Sequence, residues 1–223
     1  MRIENLYLIK LINQELGTEK NSFTLEELNE IKSLNIEEKI DFSELLCLKG
    51  ILELKLYDLE LTNVEIDIIS RIESLNSLYL LNCEVQSFSN LVDKELDTLY
   101  IYNSSIGDIK ILNNLNVVNL FLEDMDTIDL DDISLIRNVE SLSLNDTKVL
   151  NEYKLIFMDK IVNLAIANTG IDNIDTLVGN DTLKYLVIDE EIFKKNIEVV
   201  NVLKSNGVLV VNSMNQPVES YYD

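Results

Sequence analysis

Six carboxylates crowd into one short stretch near the middle of this chain: Glu123, Asp124, Asp126, Asp129, Asp131 and Asp132, with no basic residue between Lys110 and Arg137. Alternating aspartates are the raw material of an oxygen-ligated calcium site. The spacing is not that of a helix–loop–helix calcium loop, however. The glycine of its sharp turn is absent, and no bidentate glutamate closes it. The competing reading is a solvated connection between two elements. Other chemistry is poorly supplied. The chain has no histidine, which removes the commonest general base, the usual nucleophile triads and most transition-metal sites. Its 6 glycines are scattered singly, so no loop cradles a phosphate. The sequence offers no catalytic residue, no metal-ligand set and no cofactor motif, and the expectation is a non-enzymatic protein.

Charge narrows the partners. Lys and Arg number 18 against 40 Asp and Glu, so the formal charge is 18 − 40 = −22. Binding a phosphate backbone or an anionic membrane surface needs clustered basic side chains. Arginine occurs here only at positions 2, 71 and 137, so neither nucleic acid nor membrane is an expected ligand. The acidity serves solubility, or it draws in a basic partner. Cys47 and Cys83 have no C-x-x-C partner or neighbouring base. Two buried reduced thiols fit a cytoplasmic protein better than a disulfide-stapled one. The first residues do not read as a signal peptide, and no run approaches transmembrane length.

The elements that would position any binding group are written in a recurring apolar pattern. It reads Leu75-x-x-Leu78-x-Leu80-x-x-Cys83-x-Val85, then Leu96, Leu99, Ile101, Ser104 and Ile106 at the same offsets. It returns at Val139, Leu142, Leu144, Thr147 and Val149, and at Ile161, Leu164, Ile166, Thr169 and Ile171. Looser turns run Ile51, Leu54, Leu56, Leu61; Leu115, Val118, Leu120, Met125; and Leu183, Leu186, Ile188, Phe193. Read this way the first positions are 51, 75, 96, 115, 139, 161 and 183, with steps of 24, 21, 19, 24, 22 and 22. The pattern resembles the leucine-rich repeat family, L-x-x-L-x-L-x-x-N/C-x-L. It is most similar to the short-repeat class of bacterial internalin-type proteins, although Pro217 is the single proline. A composition rich in Asn, Ile and Lys also suits a bacterial source.

That resemblance implies an α/β leucine-rich repeat solenoid, a right-handed arc with a concave parallel sheet and a convex side of 3₁₀ turns or short helices. Apolar residues at every third position, such as Ile171, Ile174 and Leu177, predict those turns, and the short repeats leave little room for full helices. The family's turn asparagine is replaced by Leu59, Cys83, Ser104, Glu123, Thr147, Thr169 and Glu191, so the turns after Leu120 and Ile188 should be irregular. Residues 1–30 read as a helical N-terminal cap, with one helix from Ile3 to Leu16 stopped at Gly17 and a second starting in the Thr24/Glu27 capping box. Residues 31–193 hold the repeats. Residues 194–223 read as a helix from Lys194 to Asn206, a last strand Val208–Val211 and a loose tail, all within one continuous domain.

Outward strand positions give the candidate binding residues. In sequence order they are Lys55 and Tyr57, Tyr79 and Leu81, Tyr100 and Tyr102, and Asn119 and Phe121. Later repeats place Ser143 and Asn145, Ala165 and Ala167, and Val187 and Asp189 there. An aromatic patch over neighbouring strands is the usual composition of a contact site. Around it lie Glu53, Asp58, Asp146 and Asp189 as an acidic rim. The expected role is a protein-interaction module that holds a protein or peptide, basic in character, on the concave face. The alternative is an acidic inhibitor or immunity-type neutraliser of a basic enzyme or toxin, and a calcium-dependent or enzymatic role for residues 123–132 comes behind both. Tyrosines also stabilise sheets as cross-strand ladders without binding anything, and the face could instead be covered by a second copy.

Overall fold

Two inward leucines per repeat can be buried only if neighbouring strands run parallel and in step. In the computed structural model, which describes residues 3–136 and 138–218, this is how the chain is arranged. Nine strands lie side by side in chain order: Ser33–Ile36, Glu53–Tyr57, Ser77–Leu81, Glu95–Tyr102, Asn116–Glu123, Ser141–Ser143, Asn163–Ala165, Tyr185–Val187 and Leu209–Val211. Each connection crosses the back and returns to the start of the next strand, the right-handed crossover of parallel sheets. The motif leucines point inwards, and Leu54, Leu56, Leu78, Leu80, Leu99 and Ile101 are completely buried.

The return path is built largely of 3₁₀ turns: Phe42–Cys47, Ser89–Leu91, Ile109–Asn114, Glu152–Phe157 and Asp175–Gly179. Side chains three apart eclipse in that geometry; Leu177 is buried within the last of these turns, and Ile171 and Ile174, at the same spacing just before it, are buried too. The longest repeat departs from the expectation that full helices do not fit. Its additional residues fold as an α-helix, Asn63–Ser70, begun by a capping box between Thr62 and Glu65.

Six of the nine strands are followed by a corner residue in the left-handed region. Asp58, Asn82, Asn103, Asp124, Asp146 and Asn168 have φ between 43° and 59°, and Asn and Asp tolerate that conformation better than other residues bearing a Cβ. Their backbone N–H groups donate to the next repeat, Asp58 to the Leu81 carbonyl, Asn82 to Tyr102 and Asn103 to Glu123, each at 3.0 Å. The following position supplies hydroxyls. Ser104 accepts from the Cys83 N–H at 2.8 Å and donates to the Tyr102 carbonyl at 2.8 Å. Thr147 accepts from the Met125 N–H and donates to the Leu122 carbonyl, both at 3.0 Å. The task of the family's asparagine is thus divided between two positions, one giving conformation and the next giving hydrogen bonds.

One repeat is framed differently from the sequence reading. Leu120 pairs with Leu99 and Leu122 with Ile101, while Val117, Leu120, Leu122 and Met125 are buried and Val118 is not. The repeat therefore starts at Val117, and the steps become 24, 21, 21, 22, 22 and 22. Glu123 leaves the turn ladder and moves to the concave face. At the other doubtful turn, Ile188 keeps its place, but the corner becomes a helix, Glu190–Lys195, with Asp189 as its N-cap.

At the N-terminus, helix Leu6–Leu16 starts at Asn5 and stops where Gly17 turns left-handed at φ 62°. Leu8 and Ile12 join the same core as the repeat leucines. The Thr24/Glu27 capping box starts helix Leu25–Glu30. At the C-terminus the expected single helix from Lys194 is two, Glu190–Lys195 and Ile197–Ser205. Asn196 breaks them, and its buried amide donates to the Ile192 carbonyl at 2.8 Å and accepts from the Ile174 N–H at 3.2 Å. The tail is not loose through residue 218. Asn212 donates to the Gln216 carbonyl at 2.9 Å, Val211 bridges Pro217 antiparallel, and Val218 is fully buried. The rest of that expectation, residues 219–223, lies outside the described residues.

Replacing Asn103 by valine should cost about 1–2 kcal/mol, because a β-branched side chain clashes in the left-handed corner. Asn103→Gly should be nearly neutral. Leu142→Ala, which opens a cavity behind the strand, should cost about 2–5 kcal/mol. Urea unfolding of the three variants checks the ranking.

Candidate binding face

Parallel strands in register stack their outward residues into columns. The central one runs Lys55, Tyr79, Tyr100, Phe121 and Ser143. Beside it lies the column Tyr57, Leu81, Tyr102 and Glu123. Phe121 was expected beside Tyr102, but it aligns with Tyr100, two residues from that assignment. Asn119 correspondingly aligns with Thr98, away from the aromatic group, and donates its amide to the Asp97 carbonyl at 2.9 Å.

Tyr100 is the hub. Its ring centre lies 5.8 Å from Tyr79, 5.6 Å from Phe121 and 6.4 Å from Tyr102, with the Tyr102 ring parallel within 3°. Such pairs each contribute about 0.5–1.5 kcal/mol beyond burial. Tyr57, Tyr79, Leu81, Tyr100 and Phe121 are half-buried, and Tyr102 is the most open of the group at 36 % exposure. The aromatic cluster is therefore both a ladder and a surface.

Charged groups flank it. On one side the Lys55 ammonium sits 5.1 Å above the Tyr79 ring centre and 2.9 Å from Glu53. Glu53 also accepts from the Ser33 hydroxyl at 3.0 Å. Burial pushes the Glu53 carboxyl up, but hydrogen bonds from Lys55 and Ser33 outweigh it and leave the pKa lowered. On the other side Glu123 accepts from the Tyr100 hydroxyl at 2.9 Å and from the Ser143 hydroxyl. One carboxylate thus joins three consecutive strands. Burial first, and then the Glu123 hydrogen bond and charge, push the Tyr100 phenol far above its ordinary range. Tyr79 is raised by burial and by the charge of Glu53, and Tyr102 mainly by the charge of Asp124.

The other rim residues have structural duties. Asp58 and Asp146 form left-handed corners, and Asp189 accepts from the Ile192 N–H at 2.9 Å and from the Asn168 N–H at 2.6 Å. Further along the sheet, Ala167, Val187 and Val211 form a separate small apolar cluster with Ala165 and Tyr185.

The six central carboxylates do not make a cage. Asp129 accepts from the Asp131 N–H at 2.9 Å and from the Asn151 amide at 2.7 Å. Asp131 pairs with Lys154 at 2.6 Å and Asp132 with Lys110 at 3.3 Å. Glu123 faces the other side of the sheet. Among the described residues no three His, Cys, Asp or Glu side chains converge on one point. Cys47 and Cys83 are buried free thiols, raised first of all by burial. No helix among the described residues is long and apolar enough to cross a membrane.

Sequence reasoning missed Glu123 and the Lys55–Tyr79 contact, and it placed Ser143 on the outward face without its bond to Glu123. Glu123 follows once the repeat is started at Val117, since the nearly constant step then puts residue 123 in the column of Tyr102.

A nine-stranded parallel sheet in chain order, backed by 3₁₀ turns, is the fold of a leucine-rich repeat solenoid. Among solved structures the chain is similar to an internalin (InlF) of Listeria monocytogenes, with TM-score 0.54 and 16% identity over 93% of this chain and 74% of that one. It is also similar to internalin C2 of the same organism, with TM-score 0.50 and 14% identity over 93% of both chains. A leucine-rich repeat protein of Leptospira interrogans matches with TM-score 0.50 and 16% identity over 95% of this chain, which spans 58% of its length. No protein-family model matches the chain, and no curated sequence does.

The raised phenols fix a direction of pH dependence. A phenol that holds its proton more tightly in the folded state than in the unfolded chain loses that advantage as pH rises past about 10, where unfolded tyrosines ionise. Stability should be level below that value and fall as pH climbs towards the folded pKa. Tyr100→Phe should flatten part of the slope, read from urea midpoints between neutral and strongly alkaline pH.

Proposed function

We propose that the protein is a non-enzymatic interaction module that holds a protein or peptide on its concave face, over Tyr57, Tyr79, Leu81, Tyr100, Tyr102 and Phe121. The observation that carries this reading is the Tyr100 hub: four contacting rings in adjacent columns, left partly open where a solenoid presents its flattest surface. Aromatic residues in such a patch are the usual hot spots of interfaces. Asn119 belongs to its margin. The acidic residues at and around the patch, Glu53, Glu123, Asp58, Asp146 and Asp189, favour a partner with basic side chains beside its apolar anchors. The N-terminal helices and the C-terminal helix–strand unit close the two ends of the repeat core in this reading.

A second reading, an acidic neutraliser of a basic enzyme or toxin, draws on the formal charge of −22. Salt separates the two, because a charge-driven inhibitor loses association rate steeply with ionic strength.

Capture from native extract should fall sharply when Tyr79, Tyr100 and Tyr102 are replaced together by alanine. For an isolated partner each central tyrosine should contribute about 2 kcal/mol or more. Circular dichroism of the triple variant separates lost binding from lost folding. Undiminished capture by a folded triple variant would reject the face.

A further inference from the structure

The concave face already shows how it binds a cation. Lys55 lies over the Tyr79 ring at 5.1 Å and reaches Glu53 at 2.9 Å, so one ring and one carboxylate hold an ammonium group between them. Two repeats further on the same parts recur without the lysine. Tyr102 is stacked on Tyr100 at 6.4 Å and is the most exposed ring of the patch. Glu123 is its partner on the next strand, and the charges of Asp124, Asp146 and Glu123 all bear on its hydroxyl. Around Tyr79 the carboxylate is neutralised. Around Tyr102 it is not: among the described residues Glu123, Asp124 and Asp146 form no ion pair with a Lys or Arg. Their hydrogen bonds come from neutral donors, Tyr100 and Ser143 to Glu123 and Asn168 to Asp146. An open aromatic ring beside uncompensated carboxylates is attractive to a guanidinium or ammonium group through both its quadrupole and its charge.

We infer that Tyr102, with Glu123, Asp124 and Asp146, is the receptor for one arginine or lysine side chain of the partner. This rests on the reading of the concave face as a contact surface, and it specifies the chemistry of one anchor on that surface. Lys55 fills the equivalent place at Tyr79 from within the chain, so only one of the two ring–carboxylate pairs is open.

The test uses the whole chain and a defined probe, acetyl-glycyl-arginyl-glycine amide, with the neutral citrulline peptide as its counterpart. NMR with labelled tyrosine rings should show saturable shifts at Tyr102 with the arginine peptide, at a dissociation constant on the order of a millimolar. The citrulline peptide should give none. Tyr102→Phe should keep the binding and Tyr102→Leu should weaken it fivefold or more, while amide spectra confirm that both remain folded. Lys55→Met should vacate the Tyr79–Glu53 pair and create a second saturable site there. Shifts that stay linear and spread over many carboxylates, or binding unchanged in Tyr102→Leu, would overturn the receptor. If the triple alanine variant loses its partner but wild type never binds the probe, the face stands and the receptor falls. If capture survives the triple variant, the face itself fails.

Discussion

Everything in this molecule depends on the corner that follows each strand. A leucine pair can be buried behind a parallel sheet only if the chain turns sharply at the strand's end and still satisfies its backbone polar groups, since an unpaired buried N–H costs about as much as a lost hydrogen bond. Asp58, Asn82, Asn103, Asp124, Asp146 and Asn168 meet this constraint with a left-handed backbone and hand an N–H to the neighbouring repeat. The hydroxyls of Ser104 and Thr147 stitch the next layer. Because these six corners share one geometry, the strands stay in register, and because they stay in register the outward residues form columns.

The surface chemistry follows from that alignment. Tyr79, Tyr100 and Phe121 are distant in sequence but meet because each occupies the same place in its repeat. The two tyrosine hydroxyls are supported from outside the column, by Glu123 for Tyr100 and by Glu53 near Tyr79. In the proposed reading, packing and recognition are therefore not alternatives. The ring contacts fix the aromatics in place, which lowers the conformational entropy that a partner must overcome on binding them.

The solenoid and the faces of its strands were legible in the sequence because burial of two leucines per repeat leaves an unambiguous period. The outward positions of the aromatic columns were legible where that period was regular, at Tyr57, Tyr79, Leu81, Tyr100 and Tyr102. It failed at one repeat, where Leu115 and Val118 imitate the motif two residues early, although Val118 is not buried and Val117 and Leu122 are. A strand buried on one side tolerates a slip of two without changing its face, so alternation alone could not expose the error. The misplaced frame hid Glu123 among turn residues. The interrupted C-terminal helix was hidden for another reason: Asn196 breaks it through bonds to residues more than twenty positions away, which local propensity does not contain.

The steps of 24, 21, 21, 22, 22 and 22 residues carry a consequence for how such a chain can be edited. The surplus of the longest repeat is stored on the back, in helix Asn63–Ser70, and leaves the strand spacing untouched. One side of the protein behaves as a ruler with graduations about 4.8 Å apart, and the other as slack. Lengthening the slack leaves the ruler intact. Excising a whole unit such as residues 139–160 removes one graduation, and it would set Glu123 against Ala165 in place of Ser143, leaving that carboxylate a donor short.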